Sequence, residues 1–104
     1  MSTLRWAVVA ALLVLGSDVR ADDTIVSIEN FTFNSSELTI KPGTTVTWTN
    51  ADDIPHSVVE DGTKFRSKAL DTGETFSMTF TDPGEVDYFC GLHPHMKGKI
   101  IVKP

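Results

Sequence analysis

Thiols are almost absent from this chain. Cys90 is the one cysteine in 104 residues, so no disulfide can close within it. Histidine is nearly as scarce, with three in all: His56, His93 and His95. Positive charge is short too: nine Lys and Arg stand against fourteen Asp and Glu, a formal charge of −5. That balance argues against nucleic acid and anionic lipid surfaces as partners. It suits a basic protein partner, drawn in by a field that salt would screen. No apolar run approaches the about 20 residues needed to cross a bilayer. The run from Trp6 to Gly16 stops at 11. Beyond residue 21 no segment shows a convincing helical period.

The short apolar run has a reading of its own. It follows the basic stretch Met1 to Arg5 and precedes Val19-Arg20-Ala21, which offers small residues at the −3 and −1 positions. This order predicts a secretory signal peptide over 1–21, cleaved after Ala21, and a periplasmic protein. The domain that remains, 22–104, has 83 residues. Without Arg5, Arg20 and Asp18 it keeps seven basic and thirteen acidic residues, a charge of −6. A core this small is marginal without a staple. With no disulfide to serve, a bound metal is the candidate.

What is present is strand after strand. Thr24 to Glu29 alternates, Glu37 to Ile40 is short, and Thr44 to Thr49 is β-branched and aromatic. Val46 and Trp48 fall on one face, with Trp48 expected in the core. His56 to Glu60 reads as a further strand, and Phe65 to Leu70 as less regular chain. Glu74 to Phe80 alternates with Phe76, Met78 and Phe80 inward; Val86, Tyr88 and Cys90 share a face; Gly98 to Lys103 closes the chain. Lys41-Pro42-Gly43, Asp61-Gly62 and Asp82-Pro83-Gly84 supply turns. Seven or eight short strands of this kind predict an all-β sandwich.

Chemistry concentrates in Cys90-Gly91-Leu92-His93-Pro94-His95-Met96. A thiolate, an imidazole and a thioether at Cys-x2-His-x2-Met spacing form a soft donor set that suits copper. Gly91 and Pro94 bend the chain, which lets Cys90, His93 and Met96 converge. His56 lies 34 residues before Cys90 and can supply a second nitrogen. His2Cys with a weak axial Met is the blue-copper arrangement. A buried hydrophobic cysteine or a Cys-His nucleophile are the competing readings, and neither needs Met96 at this spacing. His95 competes with His93, but a ligand at 95 leaves no spacer before Met96. His95 is therefore read as solvent-facing.

Val46-Thr47-Trp48-Thr49-Asn50, Pro55-His56-Ser57-Val58 and Tyr88 through Gly98 resemble the cupredoxins. The short ligand loop is most similar to that of the amicyanins, with plastocyanins and pseudoazurins as relatives. The likeness covers about residues 24 to 103 and implies a Greek-key β-sandwich. It implies one type 1 copper held by His56, Cys90, His93 and Met96, and a one-electron carrier rather than an enzyme. A carrier that delivers copper itself is the alternative with the same ligands. Multicopper oxidases and nitrite reductases need more histidines than three.

The likeness also places Asn50, Ser57, Gly91 and Leu92 around the ligands. Ile54, Pro55, Pro94 and His95 would form the docking patch for a c-type cytochrome or a periplasmic dehydrogenase, with the carrier a monomer. Two departures from the family pattern carry expectations. Family members usually join the two ligand loops through side chains after the His and the Cys. Gly91 has none, so that tie is expected to be missing. Leu92 replaces a proline, and its amide is expected to donate to the Cys90 sulfur beside that of Ser57. Such a bond would raise the reduction potential relative to a Leu92→Pro variant.

Overall fold

The computed structural model describes residues 23–104, and the expected signal peptide over 1–21 lies outside them. Eight strands follow one another: β1 (Asp23–Glu29), β2 (Thr32–Asn34), β3 (Glu37–Ile40), β4 (Thr44–Asn50), β5 (Val59–Glu60), β6 (Thr75–Phe80), β7 (Gly84–Cys90) and β8 (His93–Val102). No helix occurs among the described residues. The strands form two four-stranded sheets, ordered β2-β1-β4-β6 and β3-β8-β7-β5. The β1–β4 and β3–β8 pairs are parallel and the remaining pairs antiparallel. This is the expected all-β sandwich.

Alternation along the strands builds the core. In β4, burial alternates at every residue, with Val46, Trp48 and Asn50 inward. Trp48 plugs the centre as expected, edge-on to Tyr88 of β7 with ring centroids 5.2 Å apart. Phe33 meets the same Tyr88 ring at 4.8 Å. Phe80 is buried, while Phe76 and Met78 are partly buried against the same core.

Two strand boundaries differ from expectation. The strand expected at His56 shrinks to Val59–Glu60. The N–H groups of Ser57 and Val58 go instead to side chains, the first to Cys90 Sγ and the second to Ser67 Oγ. The last strand begins at His93 rather than Gly98, because the chain after Cys90 turns straight back onto β7.

The Tyr88 hydroxyl and the Trp48 indole N–H are both buried without a hydrogen-bond partner. Burial pushes the phenol up to about 12; Trp48, outside hydrogen-bonding geometry, pulls weakly the other way. The folded state therefore holds the phenol neutral, and the unfolded chain ionises first. The stability linked to Tyr88 is complete below pH 10 and falls as pH rises from 10 towards 12, by about 1.4 kcal/mol per unit. Urea titrations across that window should show the decline in the wild type. Tyr88→Phe should flatten it, at little cost, since the hydroxyl satisfies nothing.

Candidate metal centre

The C-terminal hairpin presents its donors through a slip in strand register. Phe89 of β7 pairs with Lys97 of β8, but the next residue, Cys90, pairs with His93. Pro94, His95 and Met96 are thus extra residues on β8, a wide bulge of the kind that re-aims side chains. Pro94 fits there because it has no N–H to lend the ladder. Pro94 and His95 face solvent, as expected for His95, while Met96 turns inward and is 5% exposed. Met96 shares the core cluster with Cys90.

His56 comes from the segment between β4 and β5, held by a backbone bridge to Leu70. Its Nδ1 lies 3.7 Å from Cys90 Sγ, and Nδ1 of His93 lies 3.6 Å from the same sulfur. Donor atoms of the three residues all fall within 4.8 Å of one another. Bonds of about 2.1 Å to nitrogen and about 2.3 Å to sulfur, typical of a first-row metal, produce such separations at angles of roughly 110°. The donor set therefore fits one ion, with Cys90 and His56 fully buried and His93 partly so.

The surroundings fix each donor. Asn50 is fully buried and donates from Nδ2 to the carbonyls of Ile54 and Leu70, at 2.9 and 2.8 Å. Its Oδ1 accepts the Asp52 N–H. One side chain thereby shapes the whole loop that delivers His56. Asp52 then binds His56 Nε2 at 2.7 Å, which leaves Nδ1 facing the sulfur. The backbone N–H of Asn30, then that of Phe31, hold the Asp52 carboxyl below the usual carboxylate range, with a smaller contribution from His56.

The two ligand segments are tied, contrary to expectation. Ser57 Oγ accepts the Gly91 N–H at 2.9 Å, and the Ser57 N–H donates to Cys90 Sγ at 3.4 Å. The backbone of Gly91 replaces the missing side chain. A Cβ at residue 91 would lie 2.9 Å from Ser57 Oγ, so the bare glycine is what admits the bond. The second expectation also changes. Among the described residues the Leu92 amide makes no bond to Sγ, and of these two backbone amides only that of Ser57 donates. Leu92 sits in the tight turn with its side chain 49% exposed. The predicted potential difference for Leu92→Pro therefore loses its cause.

Pro55, Leu92, Pro94 and His95 are exposed and Ile54 is half-buried. The sequence reading missed two residues here. Asp52 is not among the residues singled out from the sequence, although a carboxylate four residues before a ligand histidine is a usable signal. Phe31, in the β1–β2 turn, packs edge-on against both His56 and His93. Nothing local marks it.

Comparison with known proteins agrees with this geometry. Residues 21–103 match the family of copper binding proteins described as plastocyanin/azurin. Amicyanin of Paracoccus versutus is 39% identical over 97 residues, spanning 86% of this chain and 72% of that protein. Amicyanin-alpha of Methylorubrum extorquens is 36% identical over 104 residues, spanning 93% and 86%. Among solved structures, a purple cupredoxin from Nitrosopumilus maritimus superposes with a TM-score of 0.73 at 32% identity, covering 78% of this chain and 100% of that one. The chain belongs to the plastocyanin/azurin family of copper-binding proteins, the cupredoxins.

Proposed function

We propose that this chain is a one-electron carrier in which His56, Cys90, His93 and Met96 hold a single copper ion. The observation that carries the reading is the convergence of His56 Nδ1, Cys90 Sγ and His93 Nδ1. Bound copper would supply the Cu(II)/Cu(I) couple. The protein's part is to keep the donors still. Cys90 and His93 sit on paired strands, His56 is pinned at Nε2 by Asp52, and Ser57 joins the two segments. A frame held by these contacts has little to rearrange when charge changes. The Ser57 N–H on Sγ withdraws charge from the sulfur and favours the reduced state.

Burial of Cys90 and His56 supports electron exchange over delivery of the metal, since an incoming chelator cannot reach them directly. His93, partly exposed at the hairpin, is the route out, with Leu92, Pro94, Pro55, Ile54 and His95 as the docking patch. Contacts there would be small and transient, as in other redox encounters. The partners in this reading are a c-type cytochrome and a periplasmic dehydrogenase. The carrier is a monomer and not an enzyme, exported by residues 1–21 and cleaved after Ala21.

The test is the purified chain from residue 22 with one equivalent of Cu(II). An intense visible thiolate-to-copper band with reversible voltammetry is the expected result. A colourless, redox-silent protein would refute the reading. Rapid surrender of Cu(I) to a mild chelator would favour delivery instead.

A further inference from the structure

The β1–β2 hairpin turns through two residues, Asn30 and Phe31, between the paired Glu29 and Thr32. Asn30 and Phe31 both have φ of 57°, the left-handed region. Asparagine tolerates it, whereas a bulky aromatic rarely does. A two-residue hairpin turn of this kind needs φ above zero at both central positions, so the turn fixes where the Phe31 side chain starts from. Here the Asp52 carboxylate accepts both N–H groups, at 2.8 Å from Asn30 and 3.1 Å from Phe31. The same carboxylate binds His56 Nε2. The turn and the ligand histidine are therefore clamped by one side chain.

The clamp sets the Phe31 ring across the site. Its centroid is 5.7 Å from that of His56 and 5.2 Å from that of His93, with both crossings at 88°. The two imidazoles are 5.0 Å apart, so the three rings close a triangle. Phe31 is nonetheless 54% exposed, so its outer side faces solvent rather than core. His93 needs such support. Among the described residues it makes no hydrogen bond through Nε2, unlike His56, and its orientation rests on packing.

We infer that Phe31 is a positioning residue, an aromatic cover clamped by Asp52 over the two histidines, which holds His93 in place and keeps small chelators and anions from the metal. The inference rests on the copper reading above. It makes the cover part of the site although it contributes no donor atom.

Phe31→Gly tests it, because glycine accepts the left-handed backbone and removes only the ring. Two assays apply, with Phe31→Tyr as the variant that restores the ring. The first is extraction of Cu(II) by EDTA, followed with and without azide. The second is alkylation of Cys90 by iodoacetamide in the metal-free protein. Phe31→Gly should lose copper about tenfold faster, the scale on which groups just beyond the ligands act. Azide should alter its visible spectrum, Cys90 should react several-fold faster, and Phe31→Tyr should behave as wild type in each assay. Extraction and alkylation rates equal to those of the wild type would overturn the inference. So would equal acceleration in Phe31→Tyr, which keeps the ring, because the ring would then not be the barrier. A wild type that never turns blue but shows the alkylation difference would refute the copper reading while leaving the cover in place.

Discussion

Cys90→Ser should give a folded protein that stays colourless with Cu(II). The substitution is close to isosteric. A hydroxyl at that position can still accept the Ser57 N–H that now reaches Sγ at 3.4 Å, so little is left unsatisfied in a fully buried place. The core of Trp48, Tyr88, Phe33 and Ile28 is untouched. What disappears is the one soft anionic donor. Two imidazoles and a thioether remain, and none of them carries charge to balance a divalent ion. Changing groups merely beyond the ligands costs metal sites about 10–100-fold in affinity. Removing the thiolate itself should cost more than that, and should abolish the visible band. Titration with Cu(II) followed by absorbance and paramagnetic resonance would check both. A blue Cys90→Ser protein would show that the colour arises elsewhere. A mutant with wild-type affinity would remove Cys90 from the site.

Gly98→Ala should unfold much of the protein at moderate temperature. Gly98 stands opposite Tyr88 across the β7–β8 ladder, and the Tyr88 ring lies over it. A Cβ at residue 98 would clash with Tyr88 Cζ and Oη, and would lie 2.7 Å from Cε2. The ring has nowhere to go, since Phe33 and Trp48 pack edge-on against it at 4.8 and 5.2 Å. Overpacking a tight core costs about 1–3 kcal/mol, occasionally more, and this site is at the upper end. At about 3 kcal/mol the melting temperature of a domain this size should fall by roughly 12–24 °C. Calorimetry on the metal-free protein is the measurement. Tyr88→Leu in the same chain shortens the side chain that the new methyl meets, and the double variant should recover part of the loss. A melting temperature within a few degrees of wild type would mean that β8 shifts to accommodate the methyl. Function should follow stability here, because Tyr88 and Cys90 share one strand and one face.

Much of the fold was legible because its causes are local. Alternation in Thr44 to Asn50 and Glu85 to Cys90 reports which side chains face inward, and it does so wherever the strand is placed. The approach of His93 to Cys90 was legible for the same reason, since four residues with a sharp turn have few ways to spread apart. Strand ends were less so. The shortened β5 reflects amides captured by Cys90 and Ser67, which come from 33 and 9 residues away.

Residue types and spacing were enough to assign sandwich, donor set and the family likeness, because each depends on what one short segment can do. Packing alone decided the rest. Only the folded chain shows that Gly91 joins Ser57 through its backbone, that the Leu92 amide does not reach the sulfur, and that Asp52 and Phe31 contact the two histidines. These are contacts between segments brought together by the parallel β1–β4 pairing and the β7–β8 bulge. A hydrogen bond or a ring contact is settled within a few tenths of an ångström, and spacing along a chain does not specify position to that accuracy.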